Sequence, residues 1–200
     1  MKKKLPKQLN VENNKTIASE KKLIEQLHDP QDRAAAFSQL VRKYQERLYW
    51  HIRKMVLSHD DANDILQNTF MKAWNGIDNF RGDSLVSTWF YRIATNETLT
   101  FLSNKRMKNI NSLDEVEDVL LQQLQADQYF NGNEAQLKLQ QAILTLPEKQ
   151  RLVFNMRYFD DLSYEQMENI LGTTAGALKA SYHLAVKKIE KFLLDSDIEI

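Results

Sequence analysis

The chain contains no cysteine. That excludes disulfides and thiolate metal sites and is compatible with a reducing compartment. Five glycines and three prolines are all that 200 residues hold, so breaks are few and long helices are favoured. No window approaches an uninterrupted apolar run of about 18 residues, which excludes a membrane span. The basic start, MKKKLPKQLN, leads into no apolar core and is not a secretory signal. His28, His51, His59 and His183 show no metal-ligand spacing. No paired acid and base, phosphate loop or nucleophile constellation stands out, so neither enzyme activity nor a cofactor is expected.

Net charge is lacking too: 27 basic residues balance 27 acidic ones. Neutrality argues against a free-standing DNA-coating protein. The zero is a sum of unlike parts, however. Lys2, Lys3, Lys4, Lys7 and Lys15 make the start basic, and Arg92, Lys105, Arg106 and Lys108 form a second basic patch. Asp114, Glu115, Glu117, Asp118, Asp127 and Glu134 share a segment without Lys or Arg. Such separation suits a chain that meets both nucleic acid and a protein partner.

What is present is helical periodicity. Ala62, Ile65, Leu66, Thr69, Phe70, Ala73 and Trp74 recur at helical spacing, with Asp64, Gln67, Asn68 and Met71 on the opposite face. Asp60 or Asp61 is expected to cap this helix. A polar loop, 75–83, holds Gly76, Phe80, Arg81 and Gly82, and Ser84 can cap the next helix. There Trp89, Phe90 and Tyr91 are consecutive, and each step turns a helix by roughly 100°. Leu85, Val86, Trp89, Phe90, Ile93 and Ala94 share the core side, whereas Tyr91 aligns with Ser84, Ser87, Thr88, Thr95 and Thr98. This alignment puts the Tyr91 ring at the surface, suited to stacking on an unpaired base. The alternative, that Tyr91 packs under the loop or against a partner helix, stays open, and periodicity alone favours it.

The fold expected is all-α, with two small helical domains joined by an acidic linker. Residues 1–19 read as a flexible basic tail, 20–107 as the first domain, 108–133 as the linker and 134–194 as the second domain. Within the second, Ser163 to Gln166 fits a capping box, and Gly172-Thr173-Thr174 a tight turn between a short and a longer helix. Short helix, glycine turn and longer helix have the shape of a helix-turn-helix, whose second helix enters the major groove by its N-terminal residues. Those are Thr174, Ala175, Gly176, Ala177, Lys179 and Ala180, with Lys187 placed for phosphate.

Two such units in this order resemble the bacterial RNA polymerase sigma factors of the extracytoplasmic-function (ECF) group. The resemblance rests on DANDILQNTFMKAW (61–74), FRGDS (80–84), TWFYRIATN (88–96), LPEKQR (146–151) and LSYEQMENILGTTAGALKASYHLAVKK (162–188). It implies a cytoplasmic protein with no active site of its own, which binds core RNA polymerase and promoter DNA and has an anti-sigma factor as a further partner. It implies that Asp64, Gln67, Asn68 and Met71 contact polymerase. Phe80, Arg81, Tyr91 and Asn96 would then capture a base of the melted strand, while Thr174, Ala175, Lys179 and Lys187 read duplex. The sequence departs from the family's pattern at Glu168, which must tilt outward. It departs again at Ser181, Leu184 and Val186, where arginines are commoner. Fewer phosphate contacts imply weak duplex binding by the second domain alone. Two other readings are a helix-turn-helix regulator acting independently of core polymerase, and a helical interaction module with no nucleic-acid role.

Overall fold

The computed structural model describes residues 20–80, 82, 84–108 and 134–196. Among them the regular elements are all helices. They are 20–27 (α1), Arg33–Val56 (α2), His59–Gly76 (α3), a 3-10 turn at Ile77–Asn79, Val86–Lys108 (α4), Glu134–Leu144 (α5), Glu148–Tyr158 (α6), Tyr164–Leu171 (α7) and Ala175–Ser196 (α8). The expected tail, nearly all of the expected linker, and Arg81 lie outside the described residues.

Helix α2 buries Ala36, Leu40, Tyr44, Leu48, Ile52 and Met55 at steps of three and four residues, the stripe its period demands. It ends at Leu57, which takes the left-handed region (φ 60°) and donates its N–H to the Arg53 carbonyl. Ser58 then caps α3, accepting from the Asp61 N–H at 3.2 Å. Asp60 and Asp61 are not the cap. They occupy the first turn, where carboxylates complement the helix dipole. Ser84 is displaced likewise: α4 begins at Val86, and the Trp89 N–H bonds to the Leu85 carbonyl. Leu85, expected in the core, is exposed.

Helix α4 packs against both α2 and α3. Val86, Phe90 and Ala94 are buried on one side, and Thr88, Tyr91, Thr95 and Thr98 on another. The Thr98 hydroxyl bonds the carbonyl four residues back at 2.7 Å, so it can be buried without orphaning a donor. Lys105 of α4 reaches Asp61 of α3 at 3.0 Å.

In the second lobe the capping box is present: Ser163 accepts from the Gln166 N–H at 3.2 Å and Gln166 accepts from the Ser163 N–H at 2.7 Å. Gly172 closes α7 at φ 65°, a region that favours glycine. Glu168 is exposed, as the outward tilt requires. Helix α6 departs from ordinary amphipathicity, since Arg151 to Met156 are all buried. A helix buried all round needs neighbours on every side. It finds α8 within its own lobe and α2 from the first. One apolar cluster therefore runs across both lobes, from Phe37 and Ile52 to Leu152, Met156 and Ile170.

Candidate functional site

Three surfaces carry the residues singled out above. On α3, Asp64, Gln67, Asn68 and Met71 are all exposed. Their spacing of three, one and three residues puts them on one face. Trp74 continues it, with its ring edge-on to Phe37 at 5.1 Å and 40% of its surface exposed. Met71 is 56% exposed. A large apolar side chain held in water beside polar groups suits a protein contact.

The second surface lies around the start of α4. Phe80 is buried and stacks on Trp89 at 4.7 Å, and Trp89 stacks on Phe90 at 5.5 Å. Three rings thus anchor the loop to the core. Asn96 is exposed, and it shares a strip of α4 with Arg92 and Trp89, four and seven residues earlier. Tyr91 is not at the surface. It is 2% exposed, its ring edge-on to His51 at 5.0 Å. Five residues separate it from Asn96, a turn of roughly 140°, so the two face different ways. The surface expectation fails because its hydroxyl-rich face is covered by α2, whose His51 meets both the Tyr91 ring and the Thr95 hydroxyl. Arg81 cannot be placed in this group, since it lies outside the described residues.

The third surface is the exposed side of α8. Thr174 is exposed and caps the helix, accepting from the Ala177 N–H at 3.4 Å. Ala175 is half-buried, while Gly176, Ala177, Lys179, Ala180 and Lys187 are exposed. The Lys179 ammonium rests over the Tyr164 ring at 5.6 Å. Lys179 and Lys187 are eight residues apart, with exposed His183 midway on the same strip. Sequence reasoning passed over His183 because it was weighed only as a metal ligand.

Between the lobes lies a polar joint that the sequence reading did not foresee. His51, fully buried, places Nδ1 2.7 Å from Asp160 Oδ2 and Nε2 3.0 Å from the Thr95 hydroxyl. Lys54 donates to the other Asp160 oxygen at 3.2 Å. Burial works against the Asp160 charge, but His51 and Lys54 together outweigh it and hold the carboxyl below its ordinary range. Three cations of the second basic patch are also engaged internally. The Arg92 guanidinium donates to the Asn169 carbonyl, Arg106 pairs with Glu148, and Lys105 with Asp61.

Two phenols report on this packing. Burial pushes Tyr44 and Tyr91 well above the usual phenol range, with Glu20 adding to it at Tyr44 and Asp160 at Tyr91. A raised folded value means the stabilisation is present below the free phenol pKa of ~10 and drains away as pH rises past it. In an ultraviolet titration two tyrosines should therefore ionise only as helical circular dichroism is lost. Their ionisation near pH ~10 with the fold intact would show that these rings are not sealed.

Comparison with known proteins bears on both lobes. Residues 40–107 match the Sigma-70 region 2 family and residues 136–189 the Sigma-70, region 4 family. The chain is 30% identical over 186 residues to the RNA polymerase sigma-H factor of Pseudomonas aeruginosa, covering 89% of this chain and 95% of that one. It is 30% identical over 168 residues to the ECF RNA polymerase sigma factor SigW of Bacillus subtilis, covering 80% and 90%. Among solved structures, the sigma factor RpoE of Bartonella quintana, in complex with the anti-sigma factor NepR, superposes with a TM-score of 0.60. That match has 24% identity and covers 78% of this chain and 96% of that one.

Proposed function

Because the chain belongs to the sigma-70 family, in its extracytoplasmic-function group, we propose that it works as a dissociable subunit of RNA polymerase. It binds the core enzyme, directs it to promoters and helps open the DNA there, in the cytoplasm. The observation that carries this reading is the presence of both regions, in order, within one chain. An anti-sigma factor, the class of protein bound in the Bartonella structure, is the further partner expected. A regulator independent of polymerase would leave the region 2 lobe without a use.

The residue roles follow from exposure and chemistry. Asp64, Gln67, Asn68 and Met71 form the polymerase face of α3. Asn96 offers amide hydrogen bonds to an unstacked base, on a platform held by the Phe80–Trp89 stack; Arg81 belongs to the same loop. Melted strands are read by stacking and amide contacts because duplex edges are gone. In the second lobe the small residues Gly176, Ala177 and Ala180 let α8 approach a groove. Lys179 and Lys187, with His183 between them, supply the cationic strip, and the capped Thr174–Ala175 turn leads into it.

The test is run-off transcription with bacterial core polymerase on a randomised promoter library. A defined start site is expected, and its absence on every template overturns the reading. Within that assay Asn96→Ala should lower open-complex formation by about 10-fold, the value of one or two hydrogen bonds, and leave core binding unchanged. Lys179→Glu should weaken use of the upstream element by about 10-fold as a phosphate contact becomes repulsive. Equal loss of core binding and opening in Asn96→Ala would refute the division of roles.

A further inference from the structure

The exposed side of α8 carries two strips of different chemistry. Lys179, His183 and Lys187 follow one another at four-residue steps and make the cationic one. Ala177, Ala180 and Leu184, at steps of three and four, make the other. Ala180 lies opposite the buried row of Leu178, Ala185 and Ile189, and Leu184 stands one turn beyond it. Past Leu184 the same strip becomes basic, with Lys188 and Lys191 exposed. It is therefore small and apolar toward the N-terminus, the end a helix-turn-helix puts into a groove, and cationic where the helix would leave that groove.

Leu184 is 50% exposed. A lone surface leucine needs no explanation, but this one is placed where base edges would be read. Ala177 and Ala180 end at Cβ, so Leu184 is the first side chain of its strip long enough to reach a base edge. Arginine, the commonest reader of guanine, is missing from the whole of α8. Lys179, the first lysine of the helix, is held over the Tyr164 ring. Among the groups that base pairs present in the major groove, the thymine 5-methyl is the apolar one. Leucine against it removes two apolar surfaces from water. Leucine against the guanine acceptors or the cytosine amine would leave those groups dry and unpaired, which is unfavourable.

We propose that Leu184 sets base specificity in the upstream element by seating on the methyl group of a thymine. This rests on the sigma-factor reading and adds to it the base that the second lobe selects. Lys187, Lys188 and Lys191 hold the backbone and carry no sequence information.

The test uses the full chain with bacterial core polymerase on promoters randomised in the upstream element. The promoters selected should carry thymine at one position or more. Replacing that thymine with deoxyuridine removes the methyl and leaves every hydrogen-bonding group in place. Initiation should fall about 4-fold, the worth of one buried methyl group. With Leu184→Ala, checked for helical circular dichroism, thymine and deoxyuridine templates should become equal. With Leu184→Arg the selected base at that position should move to guanine. Equal initiation on the two templates by the unmutated chain overturns the proposal and leaves the sigma-factor reading standing. So does a methyl effect that survives Leu184→Ala, or a thymine preference that survives Leu184→Arg. A Leu184→Ala loss of the same size on both templates would assign the side chain to a protein contact and likewise overturns it. If the unmutated chain starts transcription on no template, the sigma-factor reading fails and this inference falls with it.

Discussion

Replacing Phe90 with alanine is expected to cost ~3–5 kcal/mol of folding stability. Phe90 is fully buried, and its ring meets Tyr44 at 5.5 Å, Phe70 at 5.7 Å, Phe37 at 6.3 Å and Trp89 at 5.5 Å. Those partners come from α2, α3 and α4, so no single helix can shift to fill the void. The loss combines transfer of the ring with the cavity left behind, and aromatic pairing adds about 0.5–1.5 kcal/mol per pair beyond area. Against a typical total stability of about 5–15 kcal/mol, this is a large share. Urea unfolding followed by circular dichroism measures it, with Leu85→Ala, five residues away at a position expected in the core but exposed, as the control. That control should change stability by less than ~0.5 kcal/mol. A Phe90→Ala loss below ~1 kcal/mol would mean that the aromatic cluster is not the centre of the first lobe.

The second large effect is expected at Met71. Met71→Glu should leave folding nearly unchanged because more than half of the residue's surface is already in water. In a polymerase complex it would bring an unpaired carboxylate into a desolvated contact. Central interface positions of this kind cost ~2 kcal/mol or more, which is roughly 30-fold in affinity. Competition for core polymerase against a labelled sigma factor reads the change directly. Unaltered affinity would remove this face of α3 from the polymerase interface, even if transcription were otherwise supported.

The exposed polar face of α3 was legible in the sequence for the same reason that the α3 core was. A single amphipathic helix, packed on one side, writes its two environments at a period of 3.6 residues. For Tyr91 the surface reading fails and the packed alternative that periodicity favoured holds, because α4 is not such a helix. Its threonine-rich side looks solvated by composition, yet it is covered by α2, which leaves no trace in local spacing. Buried threonines hide well, since their hydroxyls can bond their own helix. A signal for the docked second lobe did exist. Leu152, Val153, Phe154 and Met156 crowd one turn and a half of α6, more than one stripe can hold, and the excess marks a helix with neighbours on two sides. Caps were harder to locate. Ser58 and Ser84 are both followed by plausible competitors, and only backbone geometry separates a cap from the residue beside it.

The His51–Asp160 contact joins residues 109 positions apart. A ribosome adds about 5–20 residues per second, so roughly 5–20 s pass between synthesis of the two partners. For that interval the first lobe can fold while His51 and Lys54 still lack their carboxylate partner from the C-terminal half. The growing polypeptide thus carries an uncapped polar seam on its way out of the exit tunnel. Its rate of elongation through α5 and α6 sets how long that seam stays wet.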